Sequence, residues 1–257
     1  MPIEYIELEQ ALLATGVRMI VSKGAPNPWA EAAKALLHVR KIPWKAVYLD
    51  QRNDQMAAWS GKRNAPVLLH DDEPPIHKWL DLLNYAQHHG EGPTLIPSNE
   101  EERQAVLAHC KMIAGKEGLG WYRRLCAVDK GLKGLEGGFP EFIADYLGKK
   151  YGYEAHLAEH YPQEVASKLA HITERLQHQA SLGSTYLFGE SLTAADLYSA
   201  CFMHYFQPYS DELCAMSPIL RPGFSHLEPI VEKAFHPILV KHRDYIYQNF
   251  LELPLQL

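Results

Sequence analysis

The chain has four cysteines, Cys110, Cys126, Cys201 and Cys214, and no two of them form a C-x-x-C pair. Dithiol redox chemistry is thereby excluded. Far apart in a chain without an export signal, they read as four reduced thiols rather than a disulfide framework. No apolar run approaches the roughly 18 to 20 residues that a membrane-spanning helix needs. Positive charge is in deficit, with 25 Lys and Arg against 31 Asp and Glu and a net charge of −6, so there is no basic footprint for nucleic acid. The opening stretch carries Glu4, Glu7 and Glu9 where a targeting signal would have a basic head, and the expected residence is the cytoplasm. Gly134-Leu135-Glu136-Gly137-Gly138 lacks the Lys-Ser/Thr of a phosphate loop and reads as an ordinary loop.

A hydrophobic fraction of 47% and a charged fraction of 22% over 257 residues suit a folded protein with two unequal domains. The first part alternates strand and helix signals. Val17 to Ser22 is a short β-branched run that ends at Gly24-Ala25-Pro26-Asn27-Pro28. Pro28 suits the first position of a helix with Asn27 as its cap, and Trp29, Ala32, Ala33, Leu36 and Leu37 form one apolar face. Trp44 to Leu49 reads as a strand, Met56 to Trp59 as a weak helix, Pro66 to Leu69 as a strand with a hairpin partner near Ile76, and Leu80 to Gln87 as a helix. The order β-α-β-α-β-β-α predicts a thioredoxin-like α/β domain over residues 1–90. A linker over 91–98 precedes an all-helical domain over 99–257, with helices expected at about 100–128, 140–150, 163–181, 194–206 and 226–250.

Three local features bear on function. Asn27 stands at a strand-to-helix turn, where unpaired N–H groups and the helix dipole stabilise a thiolate or carboxylate; the plain alternative is a helix cap. Ala65-Pro66 enters an apolar strand. If that bond is cis, the Ala65 backbone is free to pair with an extended, peptide-like ligand; the plain alternative is a trans, strand-initiating proline. Thr193-Ala194-Ala195-Asp196 is a capping box with Asp in place of Glu, and loss of its carboxylate is expected to cost about 1 kcal/mol.

Together these pieces resemble the glutathione-transferase superfamily over roughly residues 17–205. Tyr186-Leu187-Phe188-Gly189-Glu190-Ser191-Leu192-Thr193-Ala194-Ala195-Asp196 resembles the family's signature into its capped helix, Asn64-Ala65-Pro66-Val67-Leu68 its cis-proline strand, and Pro93-Thr94-Leu95-Ile96-Pro97 its linker. Ala25-Pro26-Asn27 resembles the turn of the nu-class bacterial and fungal prion-type members. The resemblance implies glutathione as substrate or cosubstrate and Asn27 as the residue that activates its thiol. It further implies ligand contacts at Ala25, Ala65, Pro66, His77 and Lys78, a small electrophile, disulfide or peroxide as partner, and a homodimer. The second substrate is expected against Trp121, Tyr122 and Leu125 on the first long helix and Phe202, Tyr205 and Phe206 on the capped one; ordinary core packing is the alternative for these aromatics. The sequence departs from the family twice. Ala25 offers no hydroxyl or thiol, leaving Ser22 or Tyr5 as the nearest substitutes. His77-Lys78 stands where a Glu-Ser pair normally holds the γ-glutamyl end, a reversal of charge that points to altered binding or to a more acidic ligand. A binding or regulatory module without catalysis is the second reading. His156-Leu157-Ala158-Glu159-His160 matches a zinc-peptidase half-motif, but Tyr161-Pro162 is expected to end that helix and no third ligand follows at a recognisable spacing, so no metal is assigned.

Overall fold

The computed structural model describes residues 3–257. The chain opens with β1 (Glu4–Tyr5) and α1 (Leu8–Leu13), two elements too short for the sequence pattern to register. There follow β2 (Val17–Val21), α2 (Pro28–Val39), β3 (Trp44–Tyr48), α3 (Asp54–Ser60), β4 (Val67–His70) and α4 (Trp79–His89). The sheet order is β1-β3-β2-β4, with β1, β3 and β2 parallel and β4 antiparallel to β2. Ile76 forms the expected hairpin contact, an antiparallel bridge to Leu68.

Side-chain alternation divides the sheet between two cores. Val17, Met19 and Val21 face α2 and α4, whereas Ile20, Val47, Val67 and Leu69 pack with Leu8, Ala11 and Met56 beneath α1 and α3. Pro28 opens α2, and the alanines of that helix let it lie close against both the sheet and the helical half.

From residue 100 onward the described residues are helical or irregular. Asn99 accepts a hydrogen bond from the Glu102 N–H (3.0 Å) and three glutamates fill the first turn of α5 (Glu100–Ala114), a favourable end for the helix dipole. The helix expected over 100–128 is in fact two. Gly115 to Gly118 interrupts it, with Glu117 at φ +59°, and α6 (Leu119–Leu132) starts afresh. Then come α7 (Glu141–Tyr151) and α8 (His160–Ser181); Pro162 lies in the first turn of α8, where its missing N–H is not needed, rather than closing a preceding helix. The capped helix is α9 (Ala194–Phe202), continued by one 3-10 turn over Met203–Tyr205. A short helix, α10 (Arg221–Ser225), precedes the expected 226–250 pattern, which itself divides at a proline into α11 (Pro229–Ala234) and α12 (Pro237–Phe250).

Two polar devices join the halves. Buried Arg40 donates to the carbonyls of Ala86 (3.1 Å) and Gln87 (3.0 Å) and also to those of Gly90 and Gly92, fixing the chain where it leaves α4. The N–H of Ala194 donates to the Leu95 carbonyl at 2.8 Å.

Candidate active site

A cleft of about 700 Å³ lies between the α/β half and the helical half. One wall comes from the sheet side and α4, with Asn64, Ala65, Pro66, His77 and Lys78. The other comes from α5 to α7, with Lys111, Lys116, Trp121, Lys150 and Tyr151, while Trp29 of α2 forms part of the floor. The Ala65-Pro66 bond is cis. The Trp29 indole N–H donates to the Ala114 carbonyl at 2.7 Å, which fixes that ring against the end of α5.

The turn beside the cleft differs from a simple cap. Asn27 precedes Pro28 as expected, but its side chain accepts nothing from the helix. Its Nδ2 donates to Ser22 Oγ (3.0 Å) and reaches the Ala65 carbonyl (3.4 Å), while Oδ1 is buried without a partner. The Asn27 N–H is spent on the Ala25 carbonyl (2.8 Å). Trp29 and Ala30 therefore supply the first unpaired amides of α2. Ser22, half-buried, receives the Asn27 hydrogen bond and keeps its own hydroxyl proton to give. Tyr5 is not its equal: its hydroxyl donates to the Gln256 carbonyl (3.0 Å), its ring stacks on Tyr48, and burial foremost drives its pKa up.

Of the predicted site residues, Ala65, Pro66, His77 and Lys78 line the cleft, whereas Ala25 and Asn27 do not, nor does Ser22; Asn27 stands behind the lining, against the Ala65 carbonyl. His77 has its pKa lowered by burial and by Lys62, so at neutral pH it is an uncharged ring. Asp81, in the first turn of α4, is the one carboxylate among the lining residues; its place five residues beyond Ile76 gave no motif to notice.

The aromatic set is largely corrected. Trp121 lines the cleft, in edge contact with Tyr151 at 4.6 Å. Tyr122 turns instead toward Tyr161 and Lys168. Leu125, Phe202, Tyr205 and Phe206 are core residues, each exposed by 2% or less: helical spacing places them on faces packed between helices. Gly120 allows this closeness, since a Cβ there would come within 2.3 Å of the Phe202 ring and 2.9 Å of Trp29. Sequence reasoning missed Arg124 and Lys150. Arg124 is 8% exposed, its guanidinium lying over the rings of Trp29 (4.6 Å) and Tyr151 (4.7 Å) and donating to the Tyr205 hydroxyl (2.5 Å) and the Tyr151 hydroxyl. The signal was two adjacent arginines in the otherwise apolar Leu119–Val128 stretch.

Asp196 is fully buried and accepts from the Leu187 N–H (2.7 Å), the Thr193 N–H and hydroxyl (both 2.8 Å) and His242 Nε2 (3.0 Å). The capping box with Thr193 is present, as part of a larger network. All four cysteines are free and buried, and burial pushes their thiols up, Cys201 to about 12 and Cys214 to about 11, so none serves as a thiolate. His156 sits on a separate 3-10 turn (Ala155–Leu157) and His160 begins α8, so the two do not share one helix face.

No protein-family model and no curated protein matches the sequence. Solved structures do match the fold. A glutathione S-transferase from Methylobacillus flagellatus, solved with GSH bound, superposes with a TM-score of 0.64 at 16% identity over 91% of this chain and 95% of that one. One from Methylobacterium radiotolerans, in complex with glutathione sulfonate, gives 0.57 at 16% identity over 91% of each chain. The Tau-class enzyme of mango, Mangifera indica, gives 0.53 at 19% identity over 91% of this chain and 98% of that one. The fold is that of the glutathione transferases. Within that transferase fold, the cleft of this chain lies between its two characteristic halves, and no helix among the described residues is long and apolar enough to cross a membrane.

Proposed function

We propose that this protein binds glutathione in the cleft and directs its thiolate at a small electrophile. The observation that carries the reading is the Ser22–Asn27 pair: Asn27 Nδ2 donates to Ser22 Oγ at 3.0 Å, leaving the Ser22 hydroxyl proton for a sulfur anion. The unpaired amides of Trp29 and Ala30 and the positive end of α2 add to that field. A free thiol near pKa 8.5 needs only a few such interactions to ionise at neutral pH. The backbone of Ala65, which lines the cleft before the cis proline, suits the cysteinyl backbone of the tripeptide. Lys78 suits its γ-glutamyl carboxylate, and Asp81 its ammonium, in place of the Glu-Ser pair. The thiolate sulfur then bonds to the electrophilic carbon while the leaving group departs with its bonding pair. The co-structures of the neighbours with GSH or glutathione sulfonate support this choice of thiol. The same reading extends to a homodimer in the cytoplasm, with domain limits at 1–90 and 99–257 around the 91–98 linker. It admits a disulfide or peroxide as the alternative electrophile.

In this reading Asn27 positions and Ser22 touches sulfur. Ser22→Ala is expected to lower kcat/KM about 100-fold and to abolish the thiolate absorbance of bound glutathione, while Asn27→Ala gives a smaller loss of the same kind. Calorimetry supplies the decisive check: no heat at millimolar glutathione overturns the reading. The second reading, a module that binds without catalysis, is favoured by the histidine and lysine at 77 and 78; it predicts binding with unchanged thiol ionisation in Ser22→Ala.

A further inference from the structure

The helical wall of the cleft has an unusual charge balance. Lys111 of α5 and Lys150 of α7 line it, and Arg124 of α6 stands behind it under the rings of Trp29 and Tyr151. None of the three has a carboxylate partner among the described residues. Lys116 also lines this wall and has Glu117 within 3.8 Å, both side chains largely in water. Arg124 is the telling case. A guanidinium buried to this degree is ordinarily compensated by an acid or, as at Arg40, by several carbonyls, because removing a charge from water is costly otherwise. Here its neighbours are rings and hydroxyls: Trp29, Tyr151 and Tyr205. The rings of Trp29 and Tyr151 separate it from the cleft, so its positive field reaches whatever lies on them.

We propose that the second substrate of this cleft is an anion: a flat apolar body seated on Trp29, Trp121 and Tyr151 that carries a carboxylate, sulfonate or phosphate directed at Lys150 and Lys111. The inference rests on the glutathione reading for its reaction but not for its binding. The thiol ligand occupies the opposite wall, at Ala65 and Lys78, and leaves the cations of α5 to α7 unmatched. The environment of Lys150 agrees. Its ammonium donates to Asn64 Oδ1 (2.6 Å) and lies near the rings of Tyr146 and Tyr151 of its own helix, with Arg124 facing it from α6. Although much of the side chain is open to water, crowding by protein and then by Arg124 holds its pKa down to about 8. A bound anion favours the charged form, so anion affinity is full below pH 8 and falls as pH rises through that value.

The test compares a chloronitrobenzoate with the amide of the same acid, at saturating glutathione. In both, sulfur bonds to the ring carbon, chloride leaves with the C–Cl pair, and the thiol proton passes to solvent. The carboxylate is expected to exceed the amide about tenfold in kcat/KM at neutral pH and low salt, through KM. That ratio is expected to fall several-fold in Lys150→Met and Lys111→Met, both surface changes, and above pH 8. A parallel measurement without chemistry follows quenching of tryptophan fluorescence by an unreactive naphthoate and by its amide. Tighter binding of the naphthoate, weakened in the two variants, supports the proposal even if calorimetry finds no glutathione; that outcome removes only the glutathione reading. Equal or weaker binding of the naphthoate, or a preference unchanged in both variants, overturns the proposal while leaving glutathione binding untouched.

Discussion

At Asp196 a buried carboxylate accepts from Leu187, from Thr193 twice and from His242, drawing three separate stretches of chain to one side chain. Removing it leaves buried donors unpaired rather than merely fraying a helix. Asp196→Ala is therefore expected to cost about 3–5 kcal/mol, well above the 1 kcal/mol of an isolated cap, read as a lowered midpoint in urea with chemistry changed only through the folded fraction. Gly120 makes a different demand. An added methyl would meet the enclosed Phe202 ring and Trp29, so Gly120→Ala is expected to cost about 1–3 kcal/mol. Because Trp29 floors the cleft, the same change is expected to weaken ligand binding, seen as a shifted tryptophan emission together with a raised KM. If emission and KM both stay put, Trp29 has not moved.

Among the elements, α2 carries the site, and its sequence announced it. The proline at its first position, the Asn-Pro step and the run of small apolar residues locate both the helix and the turn that precedes it. The capped helix α9 was equally plain, since Thr193 and Asp196 form a local signal that needs no knowledge of neighbours. The long helical patterns were legible as helices but not as packed faces. Periodicity placed Phe202, Tyr205 and Trp121 alike on apolar stripes, and only the contact of α6 with α2 and α9 decides that Trp121 meets the cleft while the other two are enclosed. The division of the 100–128 pattern into α5 and α6 was written in Gly115 and Gly118, yet glycines within helical patterns are common enough that they were not decisive. Replacing the interruption tests its role. Gly118→Ala is expected to destabilise the fold by at least about 1 kcal/mol, because the new Cβ would fall 2.7 Å from the Met112 carbonyl.

For the whole molecule, a net charge of −6 coexists with a cleft whose titratable lining is mainly cationic. Composition reports only the sum, and so hid this division; the lysines at 78, 111 and 150 are far apart in sequence and gather only when both halves meet. An anionic ligand is drawn to the cleft against an otherwise repelling surface, and salt weakens that attraction over a Debye length of about 10 Å at 0.1 M. KM for an anionic second substrate is thus expected to climb as sodium chloride is raised from 20 to 300 mM, about the range over which exposed charges become screened, whereas KM for its neutral twin is expected to hold nearly level. A flat response for both would mean that the cleft charges are neutralised from within.

The tie between Asp196 and His242 also has a bearing on how the protein is made. On the ribosome, α9 emerges and can wind long before α12 exists, but its acidic side chain then has only Leu187 and Thr193 to bind and no imidazole to meet. Closure of the helical half must await residue 242, so a nascent chain halted short of that point should remain open to protease across α8 and α9, and one released a few residues beyond it should not.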